Sequence, residues 1–382
     1  MGLPGFRPWL TKMIADILTA RGPPCTTLFI DGNQTYYHSR DQFEDSPDEL
    51  FADFIAQLKA IIHQLNPSFL VFIAMDGTAP AAKLQTQRNR KFYSEYDENF
   101  VPPSRGFPFT GHAERIDREL TKLCQELRQD PTIRTANIVY SSGYAPGESE
   151  HKYFEFVRSL KKQQIWPSDG NHYIYSFDND LFILSLQFPD DKFYVNIAKE
   201  GVYDVSKLKN YLLYLVARTI GAQSLDVKHV LRDIMALTFL FGGDFMPQFP
   251  QYEGFTTDNF VDIIQVYARI CQGKHFLIHH DVFNVQVLQL IVANFVKNKT
   301  TNPQYFKKNM LREAAQQVLR VFNFTYLYYT SGLPSWSFYV TITRMPPLQL
   351  LVNYMQQENS SYFRTLGDNE VIEPFLKALI AQ

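Results

Sequence analysis

The chain has 382 residues, a formal net charge of -2 at pH 7 and a hydrophobic content of 45%. This length accommodates one large or two ordinary domains and is ample for burying a core. The near-neutral charge excludes a protein that binds nucleic acid through its overall charge, so any such contact must come from a local basic surface.

The elements predicted in the first half of the chain alternate between strand and helix. Short apolar runs predict strands at residues 26–30, 69–74, 137–140 and 172–176, and helical periodicity occurs at residues 6–20, 47–65, 112–128 and after Pro146-Gly147. Later helices are predicted at residues 204–241 with a break near Gly221, 258–272, 282–296, up to about 328, and 348–357. We therefore expect an α/β fold with a mixed or mostly parallel central sheet flanked by helices, followed by a mainly helical C-terminal region.

The sequence shows neither a signal-peptide pattern nor a membrane-spanning apolar run. The N-terminal MGLPGFRPWL lacks the apolar core of a signal peptide, and apolar runs stay below the roughly 18 residues of a membrane-spanning helix. Cys25, Cys124 and Cys271 are scattered, which predicts core thiols in a reducing compartment. We expect a soluble intracellular protein with no membrane contact. The lack of a basic nuclear-localisation run favours the cytoplasm but leaves a nuclear location open.

The stretch FLVFIAMDGTAPAAKLQTQRNRKF joins a carboxylate to a basic helix face. The apolar run predicts a buried strand that ends near Asp76, and ligands bind at the carboxyl ends of strands in open α/β sheets. The basic face follows at i, i+4, i+7 and i+8 of the predicted helix, and it comprises Lys83, Gln87, Arg90 and Lys91. Such a face can surround a phosphate. The alternative is a solvated surface helix beside an Asp that caps a strand.

Carboxylates occur beside strand ends and glycine-containing turns. The set comprises Asp31, Asp76, Glu148, Glu150, Asp178, Asp180 and Asp244. If these side chains converge on one sheet edge, their repulsion in a low-dielectric cleft requires bound cations, and oxygen ligands suit Mg²⁺ or Mn²⁺. Two such ions can activate a water and stabilise the leaving oxygen in phosphodiester hydrolysis.

Each of these acids also has an ordinary structural explanation. Asp31 and Asp76 suit turns, Glu148 suits a helix N-terminus, and Asp178 and Asp180 suit a cap and a first helical turn. The i, i+2 pairs are more informative, because both members can point at one centre in an extended chain. In a regular helix the two members of a pair would diverge.

Other catalytic chemistries lack their motifs. The sequence contains no Walker loop, no GxSxG elbow and no HExxH motif, and Asn33 stands where the phosphatase pattern needs a second Asp. The histidines have no metal-ligand spacing, and we interpret them as surface groups or as supporting groups behind the acids: His38, His112, His151 and His172.

Six segments, in this order, resemble the XRN family of 5′→3′ exoribonucleases: MGLPGFRPWL, FIDGN, AMDGTAPAAKLQTQRNRKF, SSGYAPGESEHK, YSFDNDLFIL and FGGDFMPQFP. The similarity covers about residues 1–270, and a weaker similarity to the family's second conserved region begins near Arg312 with YLYYTSGLPSWSFY and YFRTLG. The polar stretch at residues 297–304 suggests a boundary. We therefore expect a nuclease domain at residues 1–297 and a reduced second region at residues 298–382 that packs on it.

The resemblance implies a PIN/flap-nuclease-like fold and an exoribonuclease that hydrolyses 5′-monophosphorylated single-stranded RNA with two Mg²⁺ ions, or Mn²⁺. It implies that the seven carboxylates are the catalytic metal ligands and that the basic face binds the 5′-monophosphate. The family's base-stacking pair corresponds to His38 or Tyr37, because the register differs by one, and to Trp336. We expect a monomer, and the sequence names no decapping or RNA-decay partner.

Four positions depart from the family's pattern, and they put the detail of the pocket in question. The chain has Ala81 where Arg is usual, Ser149 in place of Gly, Gly243 in place of Asn, and Gln248 in place of His. None of these differences removes a carboxylate. Two alternative functions remain: a structure-specific flap-type DNA nuclease, and a non-catalytic RNA-end-binding or scaffold protein with the same fold.

Overall fold

The computed structural model describes residues 5–43, 46–84, 111–135, 137–245, 257–273, 276–279, 281–296 and 308–339. Its centre is a seven-stranded sheet of β1 (Leu18–Thr19), β2 (Thr27–Asp31), β3 (Leu70–Ala74), β4 (Ile138–Ser141), β5 (Asn171–Tyr175), β6 (Lys192–Ile197) and β7 (Gly201–Asp204). The spatial order is β1-β7-β6-β5-β2-β3-β4. Strands β2 to β6 pair in parallel, whereas β7 and β1 are antiparallel to their neighbours. The predicted mixed, mostly parallel sheet is confirmed.

Parallel pairing aligns the carboxyl ends of four strands at one edge of the sheet. Asp31 of β2 lies opposite Ala74 of β3, and Ala74 lies opposite Ser141 of β4. On the other side of β2, Ile30 pairs with Tyr175, the last residue of β5. The chain segments that follow these strands therefore leave the sheet side by side.

Helices cover both faces of this sheet, as predicted. They are α1 (Phe6–Met13), α2 (Gly32–Gln42), α3 (Pro47–Leu65), α4 (Gly111–Gln129), α5 (Ser149–Lys162), α6 (Asp180–Leu184), α7 (Val205–Ile220), α8 (Val227–Thr238), α9 (Thr257–Cys271), α10 (Val285–Val296) and α11 (Lys308–Thr330). Strands β2 and β3 are buried at every position, as expected for strands covered on both faces. Alternate residues face opposite layers, so Leu28 and Ile30 pack towards α2, α3 and α4, whereas Phe29 packs with α1 and α5.

The described C-terminal part is mainly helical, as predicted. A small hairpin of β8 (Ile278–His279) and β9 (Val282–Phe283) lies between α9 and α10. Phe322 of α11 belongs to the same buried apolar layer as Phe6 and Phe154, so α11 packs directly on the sheet domain. The domain boundary at residue 297 stays a prediction, because residues 297–307 lie outside the described ranges. The predicted helix at 348–357 also lies outside them.

The predicted helix at residues 6–20 is wrong beyond Met13. Ile14 is extended, with φ -122° and ψ 107°, and Asp16 has a left-handed φ of 55°. The chain therefore turns away from the helix axis, and Leu18 pairs with Tyr203 as part of the sheet.

The start of the predicted helix at residues 282–296 is wrong for a local reason. Val282 pairs with His279 in the hairpin, so it is not available for a helix. The Asn284 side chain then accepts a hydrogen bond from the Val287 amide (3.2 Å), which fits a helix N-cap immediately before α10.

The sequence pattern does not predict α2, β6 or β7. The buried face of α2 includes Thr35, Ser39 and Arg40, so it has no apolar periodicity to detect. The three cysteines are buried, as predicted. Within the described ranges, no helix is both long and apolar enough to cross a bilayer.

Candidate functional site

All seven predicted carboxylates lie in the described ranges, on segments that leave the carboxyl edge of the sheet or pack beside it. Asp31 ends β2, Asp76 follows β3, Glu148 and Glu150 lie at the start of α5, Asp178 lies between β5 and α6, Asp180 is the first residue of α6, and Asp244 follows α8. Six of the seven acids share a local reason, because the parallel strands end at this edge and are followed there by a turn or a helix N-terminus. Asp244 instead follows a helix.

Asp31 is buried at the centre of the edge. Its carboxylate accepts hydrogen bonds from the Asn33 amide (3.1 Å) and from the Ser176 hydroxyl (3.3 Å). Burial raises the pKa of Asp31 well above its usual range, and the charges of Asp76, Glu150 and Asp178 raise it further. Either a proton or a bound cation can relieve the repulsion between Asp31 and its acidic neighbours.

Asp76 lies across the edge from Asp31. It keeps access to solvent, and the Ser149 amide donates a hydrogen bond to its Oδ1 (2.8 Å). The surrounding protein and the nearby Glu150 raise the pKa of Asp76, whereas Lys83 and this amide lower it. The first amide of α5 therefore fixes Asp76 in place.

Glu148 occupies the N-cap position of α5 but is not used as a cap. Among the described residues its side chain makes no capping hydrogen bond. Its Oε2 pairs instead with the Lys83 ammonium, and its Oε1 accepts a hydrogen bond from the Tyr328 hydroxyl (3.2 Å). Glu148 therefore contacts an ammonium group and a tyrosine hydroxyl instead of capping the helix.

Lys83 connects the two sides of the acidic cluster. Its ammonium also lies 2.9 Å from Asp244 Oδ2. Burial lowers the pKa of Lys83, but Asp244, Glu150 and Asp76 outweigh this effect, so the net shift is upward. Lys83 is thus a firmly charged cation among carboxylates.

Asp178 and Asp180 form the third side of the cluster. The Asp180 amide donates to Asp178 Oδ1 (3.1 Å), and the Asp178 amide donates to the Ser176 hydroxyl (3.3 Å). Burial, followed by the charges of Asp178 and Asp244, raises the pKa of Asp180 well above its usual range. The members of this i, i+2 pair are close enough for their charges to interact, because Asp178 lies in the loop before α6 and accepts a hydrogen bond from the Asp180 amide.

The buried side chain of His151, next to Glu148 and Glu150, also supports a cation-binding role. Glu148, Glu150 and His151 offer ligand atoms that all lie within 4.8 Å of one another. His151 is 7% exposed, and its Nδ1 has no hydrogen-bond partner within the described part of the chain. Burial lowers the pKa of His151, which keeps the ring neutral and able to donate an electron pair. The residues present therefore fit divalent cations.

The sequence interpretation missed Tyr328, and it described the histidines only in part. His151 stacks on the Tyr328 ring with centroids 3.6 Å apart and an interplanar angle of 9°, and its predicted role as a supporting group stays a prediction. His172 is wrongly described as a surface or supporting group, because it is buried in the core against Trp166. Tyr328 follows Glu148 by 180 residues. No spacing rule detects a contact over that separation.

The basic face is described only at its first member. Lys83 lies in a helical turn at residues 81–84, and Gln87, Arg90 and Lys91 lie outside the described ranges. At the start of this turn, the Ala81 amide donates to the Trp336 carbonyl (3.0 Å). The loop after α11 thus holds the turn that carries Lys83.

Two further departures have simple local consequences. The Ser149 hydroxyl donates to Glu150 Oε2 (3.1 Å), which a glycine could not do. Gly243 has open space around the position of an added Cβ, so a larger residue would also fit there. Gln248 lies outside the described ranges.

The two candidates for the first stacking residue, Tyr37 and His38, lie in different surroundings. Tyr37 is partly buried, Arg40 lies over its ring at 4.9 Å, and the charges of Asp76 and Asp31 contribute to its raised pKa after the larger effect of burial. His38 is exposed and lies 3.0 Å from the Gln42 amide nitrogen. Tyr37 is therefore the candidate that faces the acidic cluster.

A comparison with protein families finds a match to the family described as "XRN 5'-3' exonuclease N-terminus" over residues 1–104 and 94–197. The chain belongs to this family. Curated relatives include 5'-3' exoribonuclease 1 of Schizosaccharomyces pombe, 24% identical over 302 residues, and 5'-3' exoribonuclease 1 of Homo sapiens, 24% identical over 305 residues. Each alignment covers 65% of this chain, but only 22% and 18% of the two relatives. The chain thus spans about a fifth of the length of these XRN relatives.

Among solved structures, the catalytic core of Rad2 in complex with DNA substrate aligns with a TM-score of 0.46. The identity is 16%, and the alignment covers 96% of this chain and 100% of the other.

Proposed function

We propose that this XRN family member is a 5′→3′ exoribonuclease that hydrolyses 5′-monophosphorylated single-stranded RNA at its acidic cluster. The observation that carries the proposal is the convergence of seven carboxylates, several with raised pKa values, on the carboxyl edge of one sheet. The names of the relatives, 5'-3' exoribonucleases, support the choice of substrate and direction.

The carboxylates are proposed to hold two divalent cations, Mg²⁺ or Mn²⁺. Asp31 and Asp76 lie close enough to Glu150 for their charges to interact, and Glu148 offers a ligand atom within 4.8 Å of one from Glu150. The remaining proposed ligands are Asp178, Asp180 and Asp244. When bound, such ions supply an activated water and stabilise the charge on the leaving oxygen. The protein's own part is to fix the ligands, through the amides of Asn33, Ser149 and Asp180.

Lys83 is proposed to mark the junction between the metal site and the 5′-phosphate pocket. Its ammonium already contacts Glu148 and Asp244, so a terminal phosphate bound beside it would lie next to the acids. Gln87, Arg90 and Lys91 remain the predicted partners of that phosphate. A pocket of this kind selects ends by charge and size, because a triphosphate or a cap brings groups that it does not accommodate.

The bases of the RNA are proposed to stack on Tyr37 and on Trp336. Tyr37 is preferred to His38, because Tyr37 lies near the acids and the Arg40 guanidinium packs over its ring. Trp336 is partly buried in the loop that holds the Lys83 turn. A cytoplasmic monomer without a membrane partner remains part of this proposal.

The deciding experiment compares matched RNAs that carry a 5′-monophosphate, a 5′-triphosphate or a 5′-hydroxyl, with Mg²⁺ and with EDTA. We expect rapid loss of the monophosphorylated RNA only, release of mononucleotides from the 5′ end, and no reaction with EDTA. Equal degradation of all three RNAs would contradict the pocket. Faster cleavage of a branched DNA flap would replace the proposal with a flap nuclease, and RNA binding without turnover would replace it with an end-binding protein.

A further inference from the structure

We propose that Tyr328 on α11 is a positioning residue that orients Glu148 and thereby sets the affinity of the acidic cluster for its divalent cation. The inference rests on the proposed metal-binding function. It assigns a role to a side chain outside the acidic motifs, contributed by the C-terminal helix.

The contact is made by the hydroxyl of Tyr328. This hydroxyl donates to Glu148 Oε1 at 3.2 Å, and Tyr328 is 2% exposed. Glu148 is equally buried, at 3% exposed. A hydrogen bond in such surroundings restrains a carboxylate strongly, because water cannot replace the donor.

The two carboxylate oxygens of Glu148 have different partners. Oε1 is held by Tyr328, and Oε2 points to Lys83, whose ammonium also lies beside Asp244. The restraint therefore fixes how the Glu148 carboxylate is turned, with Oε2 towards Lys83. The same carboxylate offers a ligand atom within 4.8 Å of ligand atoms from Glu150 and His151. A carboxylate that is itself hydrogen-bonded is a better oriented metal ligand than a free one.

The ring of Tyr328 is held independently of its hydroxyl. It stacks on His151 at 3.6 Å and meets Phe245 edge-on at 5.7 Å. The next residue, Tyr329, accepts a hydrogen bond at its carbonyl from Arg158 of α5 (3.2 Å). The position of α11 over α5 thus rests on packing and a backbone contact, so removing one oxygen atom leaves the helix in place.

The test variant is Tyr328→Phe, and α11 supplies a matched control. Tyr326→Phe removes the same atom from the same helix, where the hydroxyl donates to Asp281 (3.2 Å). Binding of Mn²⁺ is measured by calorimetry without RNA, together with the melting temperature in EDTA. We expect about a 10- to 100-fold loss of Mn²⁺ affinity in Tyr328→Phe. Tyr326→Phe should bind as the unmodified protein does.

A double-mutant cycle separates positioning from a general structural effect. In a Glu148→Gln background, Tyr328→Phe should cause no further loss of Mn²⁺ affinity, because the ligand that it orients is already gone. In turnover assays, the Mg²⁺ concentration at half-maximal kcat should rise while KM for RNA stays unchanged.

The outcomes also separate this inference from the proposed function. Unchanged Mn²⁺ affinity in Tyr328→Phe overturns the inference, even if the protein degrades RNA. A protein that binds Mn²⁺ as expected but degrades no RNA overturns the exoribonuclease proposal and leaves the positioning role intact. An equal fall in Mn²⁺ affinity in the Tyr326→Phe control would also overturn the positioning role of Tyr328, because the effect would then come from the helix as a whole.

Discussion

Asp180 illustrates the conflict between stability and function at the scale of one residue. Its carboxylate is crowded by Asp178 and Asp244, and its pKa is raised well above the usual range by burial and by these charges. We predict that Asp180→Asn abolishes divalent-dependent turnover, by more than about 100-fold, because a ligand is lost. The same change should stabilise the cation-free protein by on the order of 1 kcal/mol, because a neutral amide relieves the repulsion.

Urea unfolding in EDTA and an RNA degradation assay measure these two effects. The control is Asp190→Asn, at an exposed acid outside the cluster, which should change neither quantity. A variant at Asp180 that is both less stable and fully active would mean that this carboxylate serves the fold rather than the chemistry.

At the scale of elements, the N-terminus of α5 holds the site through its backbone. The Ser149 amide donates to Asp76 Oδ1 (2.8 Å), while Glu148 before it is extended, with φ -80° and ψ 150°. Proline is tolerated at the first position of a helix and favours an extended residue before it. Ser149→Pro should therefore keep α5 while removing the donor to Asp76.

We predict at least about a 10-fold loss of divalent-cation affinity in Ser149→Pro, with an unchanged helical circular dichroism signal. Ser149→Gly keeps the amide and loses only the hydroxyl contact to Glu150, so its cation affinity should stay within a few-fold of the original. If proline and glycine behave alike, the amide contact does not position Asp76.

The sequence predicted elements correctly where local residues set their limits. It failed where an element forms only by pairing with a distant strand. The helix predicted at residues 47–65 matches α3 at both ends, since Pro47 and a left-handed Asn66 mark its limits. By contrast, β1 exists because it pairs with the distant strand β7, and Leu18–Thr19 has no strand pattern of its own. The carboxylates could be found from sequence because they lie beside strand ends or glycine-containing turns, whereas Tyr328 reaches Glu148 only through tertiary packing.

For the whole molecule, the same acids link stability to pH and to the cation. Desolvation by the surrounding protein and repulsion from neighbouring acids raise the pKa values of Asp31, Asp76 and Asp180 in the folded chain. These side chains hold protons more tightly when folded, so the stability that they contribute at low pH is lost as the pH rises through their folded pKa values. A divalent cation needs the deprotonated carboxylates and should restore that stability.

We therefore predict that saturating Mg²⁺ raises the melting temperature much more at about pH 8 than at about pH 5.5. At a concentration 100 times the dissociation constant, linkage gives about 2.7 kcal/mol of added stability. Thermal unfolding with Mg²⁺ and with EDTA at both pH values measures the difference, and Asp31→Asn should reduce the shift at the higher pH. A Mg²⁺ effect of equal size at both pH values would mean that the cation binds outside these carboxylates, because protons bound to them should weaken Mg²⁺ binding at the lower pH.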